Sequence, residues 1–262
     1  IRRPPRSTRK ESSAASDVYK RQLEGIQSAL GDDVEINYAK GCHTYKFLPA
    51  IPTNLFKGSE GFKVEFYDGQ EFEGSPIETK VLKGNKFWAM GGFGLDIVAQ
   101  SKRPSLSVRF TAELQPEFSG EYDFEIFSIG PSRLSINNES LIDNWTSQEP
   151  GDAFFGMGSA PKRATINFEK GQSYYLEVEY KWEGRFPAVQ IGMQAPDQFD
   201  LMQEASNLAQ ESDAVILVVG TNSDWETEGN DRSSLELPLI QNELIQKVCS
   251  LNKNTVVVLK TG

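Results

Sequence analysis

Histidine and cysteine are almost missing from this chain: one His and two Cys stand among 262 residues. With His43 as the lone imidazole, no Ser-His-Asp set and no histidine-rich metal site can be assembled. Cys42 and Cys249 are too few for a disulfide framework and lack metal-ligand spacing, so both read as buried small apolar groups. Long hydrophobic runs are missing as well. No apolar stretch approaches the roughly 18 residues of a bilayer span, and no membrane partner is expected. Positive charge is scarce, with 27 Lys and Arg against 37 Asp and Glu for a net charge of -10. Residues 1 to 22 alone carry a net +5, so the rest of the chain carries -15. Such a surface repels nucleic acid and suits a neutral ligand.

What is present falls into blocks. Residues 1 to 22 have no periodicity and contain two adjacent prolines, and they read as a disordered or artefactual leader. The native chain is then expected to enter near Leu23, already shortened, which leaves secretion undecided. Leu23, Ile26, Ala29 and Leu30 recur at helical spacing before Gly31, and Val34, Ile36 and Tyr38 alternate like a strand. This helix and strand open an α/β region expected over 23 to 55.

From 56 to 196 the pattern changes to short alternating runs, among them "FKVEFY", "LSVRFTAEL" and "YYLEVEY", separated by Gly, Pro, Asn and Ser. That is the signature of an antiparallel β sandwich. In "YYLEVEY" the set Tyr174, Leu176, Val178 and Tyr180 should face a core while Tyr175, Glu177 and Glu179 face water. From 197 to 262 the helical period returns, with Met202, Ala205, Leu208 and Ala209 on one stripe. The apolar strand "AVILVV" follows, then a helix from near Pro238 with Ile240, Leu244, Val248 and Leu251 inward, then "TVVVL". Strands apolar on both faces and separated by helices predict a mostly parallel sheet covered on both sides. The expected fold is an incomplete α/β layered sandwich interrupted by an all-β antiparallel insertion, and the final strand lacks a following helix, so shortening is expected there too.

The loop "GTNSDWETEGNDRSSLEL" leaves the carboxyl end of "AVILVV" and crowds Asp224, Glu226, Glu228 and Asp231 together. Ligands of open parallel sheets bind beyond such strand ends, and this connection exceeds the usual 2 to 6 residues or so. A solvated acidic loop stays open as an alternative. Phosphate binding is disfavoured, because the glycines that wrap a pyrophosphate are missing and the charge has the wrong sign.

The stretch "AVILVVGTNSDWETEGNDRSSLELPLIQNELI" resembles the sandwich domain of family 3 glycoside hydrolases of the retaining β-glucosidase type, and "LGDDVEINYAKGC" resembles the helix and strand before it. The inserted region is similar to a protective-antigen-like carbohydrate-binding module in "GEYDFEIFSIGPSRLSINNESLIDNW" and "DAFFGMGS". The resemblance implies hydrolysis of terminal β-glycosidic bonds by double displacement, in which one carboxyl group attacks and another donates a proton. It places the acid/base on Glu228, with Glu226 as runner-up, and puts the nucleophile on a preceding barrel domain that these residues do not include. The chain by itself is then expected to be inactive.

Around that acid, Asp231 and Arg232 are expected to fix the loop, and Trp225 either stacks on sugar or caps the domain. In the insert, whose loops are implied to narrow the leaving-group side of the pocket, Phe154 and Phe155 are adjacent aromatics in a glycine-flanked loop. Both cannot enter one sheet face, so either one is exposed for binding or both pack under the loop. Trp145 reads as core, and no paired aspartates of a calcium site are present. The resemblance implies no cofactor and no metal, with a β-linked glycoside and the preceding barrel as partners. Two N-x-S/T triplets fall at Asn138 and Asn144. The alternative function is a non-catalytic carbohydrate-binding or adhesin protein whose sandwich is the working part.

Overall fold

The computed structural model describes residues 14–31, 34–69, 71–88, 105–183, 186–226, 232 and 234–260. The chain forms two compact units, one from Ile1–Tyr45 with Gln198–Gly262 and one from Lys46–Asp197. The second is the β sandwich. It begins earlier than residue 56 because Ile51, Leu55 and Phe56 are buried in its core. Farther out, Leu48 donates its backbone N–H to Glu125 Oε1 at 2.8 Å.

The first sheet of the sandwich is built from β1 (Phe62–Asp68), β2 (Glu78–Leu82), β4 (Ser105–Leu114), β6 (Ser132–Ile136), β7 (Glu139–Asn144) and β9 (Tyr174–Glu183). The second contains β3 (Lys86–Trp88), β5 (Gly120–Ile129), β8 (Lys162–Phe168) and β10 (Ala188–Gln194). Strand orders are β2-β1-β4-β9-β6-β7 and β3-β10-β5-β8. Every pairing is antiparallel. Alternation dictates the inner faces: Leu176, Val178 and Tyr180 of β9 are fully buried, as their spacing requires. Phe62 meets Phe110 edge-on at 6.3 Å, and Phe87 meets Tyr180 in the same manner at 6.4 Å. The Tyr180 hydroxyl, which burial makes harder to ionise, donates to Ile129 O at 2.7 Å and accepts from Ala188 N at 3.0 Å. This tyrosine therefore enters the core with its polar end satisfied.

The other unit contains α1 (Ala14–Leu30), α2 (Leu201–Glu211), β11 (Val215–Gly220), α3 (Gln241–Leu251) and β12 (Thr255–Lys260). Helix α1 starts at Ala14, so residues 14 to 22 are helical where a leader was expected. Asp200 caps α2 by accepting from Gln203 N at 3.0 Å. Strands β11 and β12 pair in parallel from Val215↔Thr255 to Gly220↔Lys260. Cys42, Ala209, Leu244 and Val248 form the small core against them.

Three expectations are corrected here. The alternating segment from Val34 to Tyr38 forms no strand, and both of those end residues are exposed; alternation marks a strand only where a neighbour supplies the ladder. Within these 262 residues Val256, Val257, Val258 and Leu259 are exposed along β12, as an incomplete sandwich leaves them. On α3 the inward positions are Gln241, Leu244 and Val248, whereas Ile240 precedes the helix and is exposed. Cys249 is only half-buried. Taken residue by residue, the fold is mixed α/β, dominated by the antiparallel sandwich, with a small parallel sheet beside it in sequence.

Candidate functional site

The carboxylate loop starts at Gly220, the last residue of β11. Gly220 has φ 151°, and a Cβ there would lie 1.7 Å from Lys260 O, so no other residue fits this strand end. Its backbone is held by a side chain from the far end of the loop. Gln241, fully buried at the start of α3, accepts from Gly220 N at 2.7 Å. Its amide nitrogen donates to Gly220 O at 2.9 Å and to Pro238 O at 3.1 Å. One primary amide thus imitates a strand partner and ties the point of departure of the loop to its point of return. Sequence reasoning missed Gln241, although it lies in phase with Leu244 and Val248 on the inward stripe.

Beyond Gly220 the chain turns at once. Asn222 Oδ1 accepts from Asp224 N at 3.0 Å, and Asn222 O accepts from Trp225 N at 3.1 Å and Glu226 N at 3.3 Å. The Trp225 indole N–H donates to Thr44 O at 2.8 Å, with the ring half-buried. Its polar end is therefore spent on its own unit. Next to Thr44, His43 is half-buried. Its Nδ1 lies 2.5 Å from the Tyr45 hydroxyl and 2.8 Å from Lys40 Nζ.

Glu226 faces back into this turn. Thr221 Oγ1 donates to Glu226 Oε2 at 3.3 Å, and Arg232 Nε lies 3.3 Å from the same oxygen, in ion-pair range without hydrogen-bond geometry. Arg232 Nη1 donates to Glu236 O at 3.1 Å. Glu226 and Arg232 thereby bridge the first and last thirds of the loop. The expected partner of Arg232, Asp231, and the expected acid/base, Glu228, lie outside the described residues. Among the described residues no cluster of His, Cys, Asp or Glu is arranged to hold a metal ion.

Phe154 and Phe155 belong to the sandwich unit and part company there. Both have left-handed backbones, with φ 53° and 60°, in a single turn over Ala153–Gly156. Left-handed φ costs an L-residue roughly 1–2 kcal/mol, so the surroundings must impose it. Phe154 is buried, with its ring 5.4 Å from that of Phe127, and Gly158 passes so close that a Cβ there would lie 2.9 Å from the Phe154 ring. Phe155 is 65% exposed.

Trp145 is not core: it is half-buried on the outer face of the six-stranded sheet, with the Arg133 guanidinium and Lys181 Nζ each 4.9 Å from its ring centre. Of the two N-x-S/T triplets, Asn138 sits exposed at the β6–β7 hairpin tip, whereas Asn144 is fully buried. The Asn144 amide donates to Ser132 Oγ and Ser159 Oγ at 3.0 Å each.

Residues 96–198 match the PA14 domain family. A β-glucosidase of Rhizobium radiobacter is 32% identical over 248 residues, which cover 92% of this chain and 29% of that protein. A β-glucosidase of Kluyveromyces marxianus is 31% identical over 261 residues, covering 91% of this chain and 30% of that one. The crystal structure of the Kluyveromyces marxianus β-glucosidase in complex with glucose superposes with TM-score 0.76 at 28% identity, over 90% of this chain and 29% of that chain. The chain thus spans about 30% of the length of the curated relatives it matches.

Proposed function

We propose, from a chain that is a β-glucosidase-like segment with a PA14 domain inside it, that these residues supply the proton-donating loop and a substrate-contacting module of a retaining β-glycoside hydrolase. The observation that carries the proposal is the construction of the loop after β11. Its ends are stitched by Gln241, its first turn is pinned by Trp225 on Thr44, and Glu226 is engaged by Thr221 and Arg232. An anion used in this way braces the loop. The resemblance then carries to Glu228, two residues on in sequence, the role of the general acid that protonates the departing glycosidic oxygen and then of the base that activates water. Asp231 and Arg232 act as loop-fixing residues, and exposed Phe155, rather than Phe154, is the aromatic of its pair available to stack on sugar. The nucleophile comes from the barrel domain that the resemblance implies, so the 262-residue chain by itself does not hydrolyse glycosides.

The test uses the complete hydrolase polypeptide carrying this segment. Glu228→Gln is expected to lower kcat/KM by roughly 10²–10⁴ on a substrate with a poor leaving group. On a substrate whose leaving group departs without a proton, added azide should restore turnover by attacking the glycosyl-enzyme and yield glycosyl azide. Glu226→Gln is expected to weaken the loop without azide rescue. Rescue of the Glu226 variant and not of the Glu228 variant would overturn the assignment, and a polypeptide with no glycosidase activity would favour the purely carbohydrate-binding reading.

A further inference from the structure

The outer face of the six-stranded sheet carries a row of alternating charge that a sandwich core does not require. Register places Glu65 opposite Arg109, Arg109 opposite Glu179, Glu179 opposite Arg133, and Arg133 opposite Asp143, so one line of side chains crosses β1, β4, β9, β6 and β7. Glu179, on the face predicted to be wet, is only 6% exposed. Its two oxygens are fully engaged, Oε1 by Arg109 Nη2 at 2.8 Å and Oε2 by Arg133 Nε at 2.7 Å. These guanidinium groups hold its carboxyl below the usual range against the opposing effect of burial. Arg133 is further held against the Trp145 ring, yet its side chain remains half exposed.

Beside this row lies a groove of about 270 Å³ lined by Arg133, Ser135, Asn138, Ser140, Glu177 and Glu179. Strand alternation puts Tyr175, 40% exposed, on the same face next to Glu177.

We infer that this groove is a second carbohydrate site, separate from the loop of Phe154 and Phe155, and that it takes a neutral, hydroxyl-rich oligosaccharide. Three properties point to that class. The lining sets Arg133 against Glu177 and Glu179, with Arg109 pairing Glu179 from outside the groove, so an anionic ligand meets the glutamates and a cation meets Arg133. The lining offers donors and acceptors side by side: guanidinium N–H groups, a carboxylate, two serine hydroxyls and an amide. Paired hydroxyls, which both donate and accept, satisfy such a set. Finally, the row is pre-ordered by cross-strand pairing, so binding does not have to freeze the long arginine side chain first.

The 262-residue chain, produced in bacteria so that Asn138 at the groove rim is bare, is titrated with a neutral β-linked gluco-oligosaccharide and separately with an oligogalacturonate, following backbone amide shifts. The neutral ligand is expected to shift Ser135, Asn138 and Glu177 saturably. Ser135→Trp, which fills the groove, and Glu177→Gln, which keeps its size while removing one acceptor charge, should each weaken binding about tenfold. Glu121→Gln, exposed on the other sheet of the sandwich, should leave it unchanged. Shifts confined to the Phe155 loop, stronger binding of the acidic ligand, or no saturable shift at millimolar ligand would each overturn the proposal. Hydrolysis is not read out, so the result stands or falls independently of the acid/base assignment.

Discussion

Replacing Gln241 by Leu tests whether a single amide holds the carboxylate loop at its base. The substitution keeps an inward-facing side chain of similar size on α3 and removes all three hydrogen bonds. Gly220 N–H and Gly220 C=O lose their side-chain partner at a buried strand end. A buried orphan costs roughly 1–3 kcal/mol, so the two Gly220 groups together set a loss of roughly 2–6 kcal/mol. Water entering beside the loop lowers this to about 2–4 kcal/mol, without counting Pro238 O. Residue-resolved hydrogen exchange is the appropriate assay, because it reads this unit separately from the sandwich. A loss of that size corresponds to exchange of the Gly220 amide faster by roughly 30- to 1000-fold. Gln241→Glu should do no better, since a carboxylate cannot donate to Gly220 O and would be a buried charge. Gln241→Leu with unchanged exchange at Gly220 and Thr221 and a melting midpoint within a degree of the parent would refute the reasoning.

Two further substitutions probe the sandwich. Phe154→Ala should destabilise it by about 3–5 kcal/mol in urea denaturation, whereas Phe155→Ala, adjacent but exposed, should change it by no more than about 0.5 kcal/mol. Asp143 accepts from Trp145 N, Thr146 N and Thr146 Oγ1, and the N–H of Thr146 above all draws its carboxyl down to about 2. A depressed carboxyl stabilises the fold above its unfolded value near 3.8 and stops doing so as pH falls through about 2. Melting midpoints measured between about pH 5 and pH 2 should therefore fall less steeply in Asp143→Asn than in the parent. Identical slopes would remove Asp143 from the acid response.

Much of the sandwich was legible because an antiparallel strand announces itself by two-residue alternation, and Leu176, Val178 and Tyr180 obey it. Glu179 breaks the pattern for a reason that lies in other strands: Arg109 and Arg133 are 70 and 46 residues away and bury it from either side. The segment from Val34 to Tyr38 shows the converse, an alternating sequence with no ladder to join. The short apolar runs of β11 and β12 did form a parallel pair, because strands with no polar alternation suit that pairing. At the loop, sequence supplied the carboxylates and their position after a strand. It could not supply Gln241, since a buried polar residue is legible only once the backbone groups it satisfies are placed. Adjacent aromatics left open whether one or both pack under the loop, and it is Phe154 that turns inward, against the Phe127 ring.

The burial of Asn144 has a consequence for making this protein in a secreting eukaryotic host. Its triplet with Trp145 and Thr146 is an acceptor for the enzyme that transfers glycans to nascent chains, while the folded sandwich leaves no room for anything beyond the amide among Ser128, Ser132 and Ser159. Sugar transfer and closure of the sheet therefore compete for the same side chain. Molecules modified first are denied their native packing and fall to quality control, so secreted yield becomes a clock for how quickly β7 docks, and Asn144→Ser would stop that clock at the cost of a few hydrogen bonds.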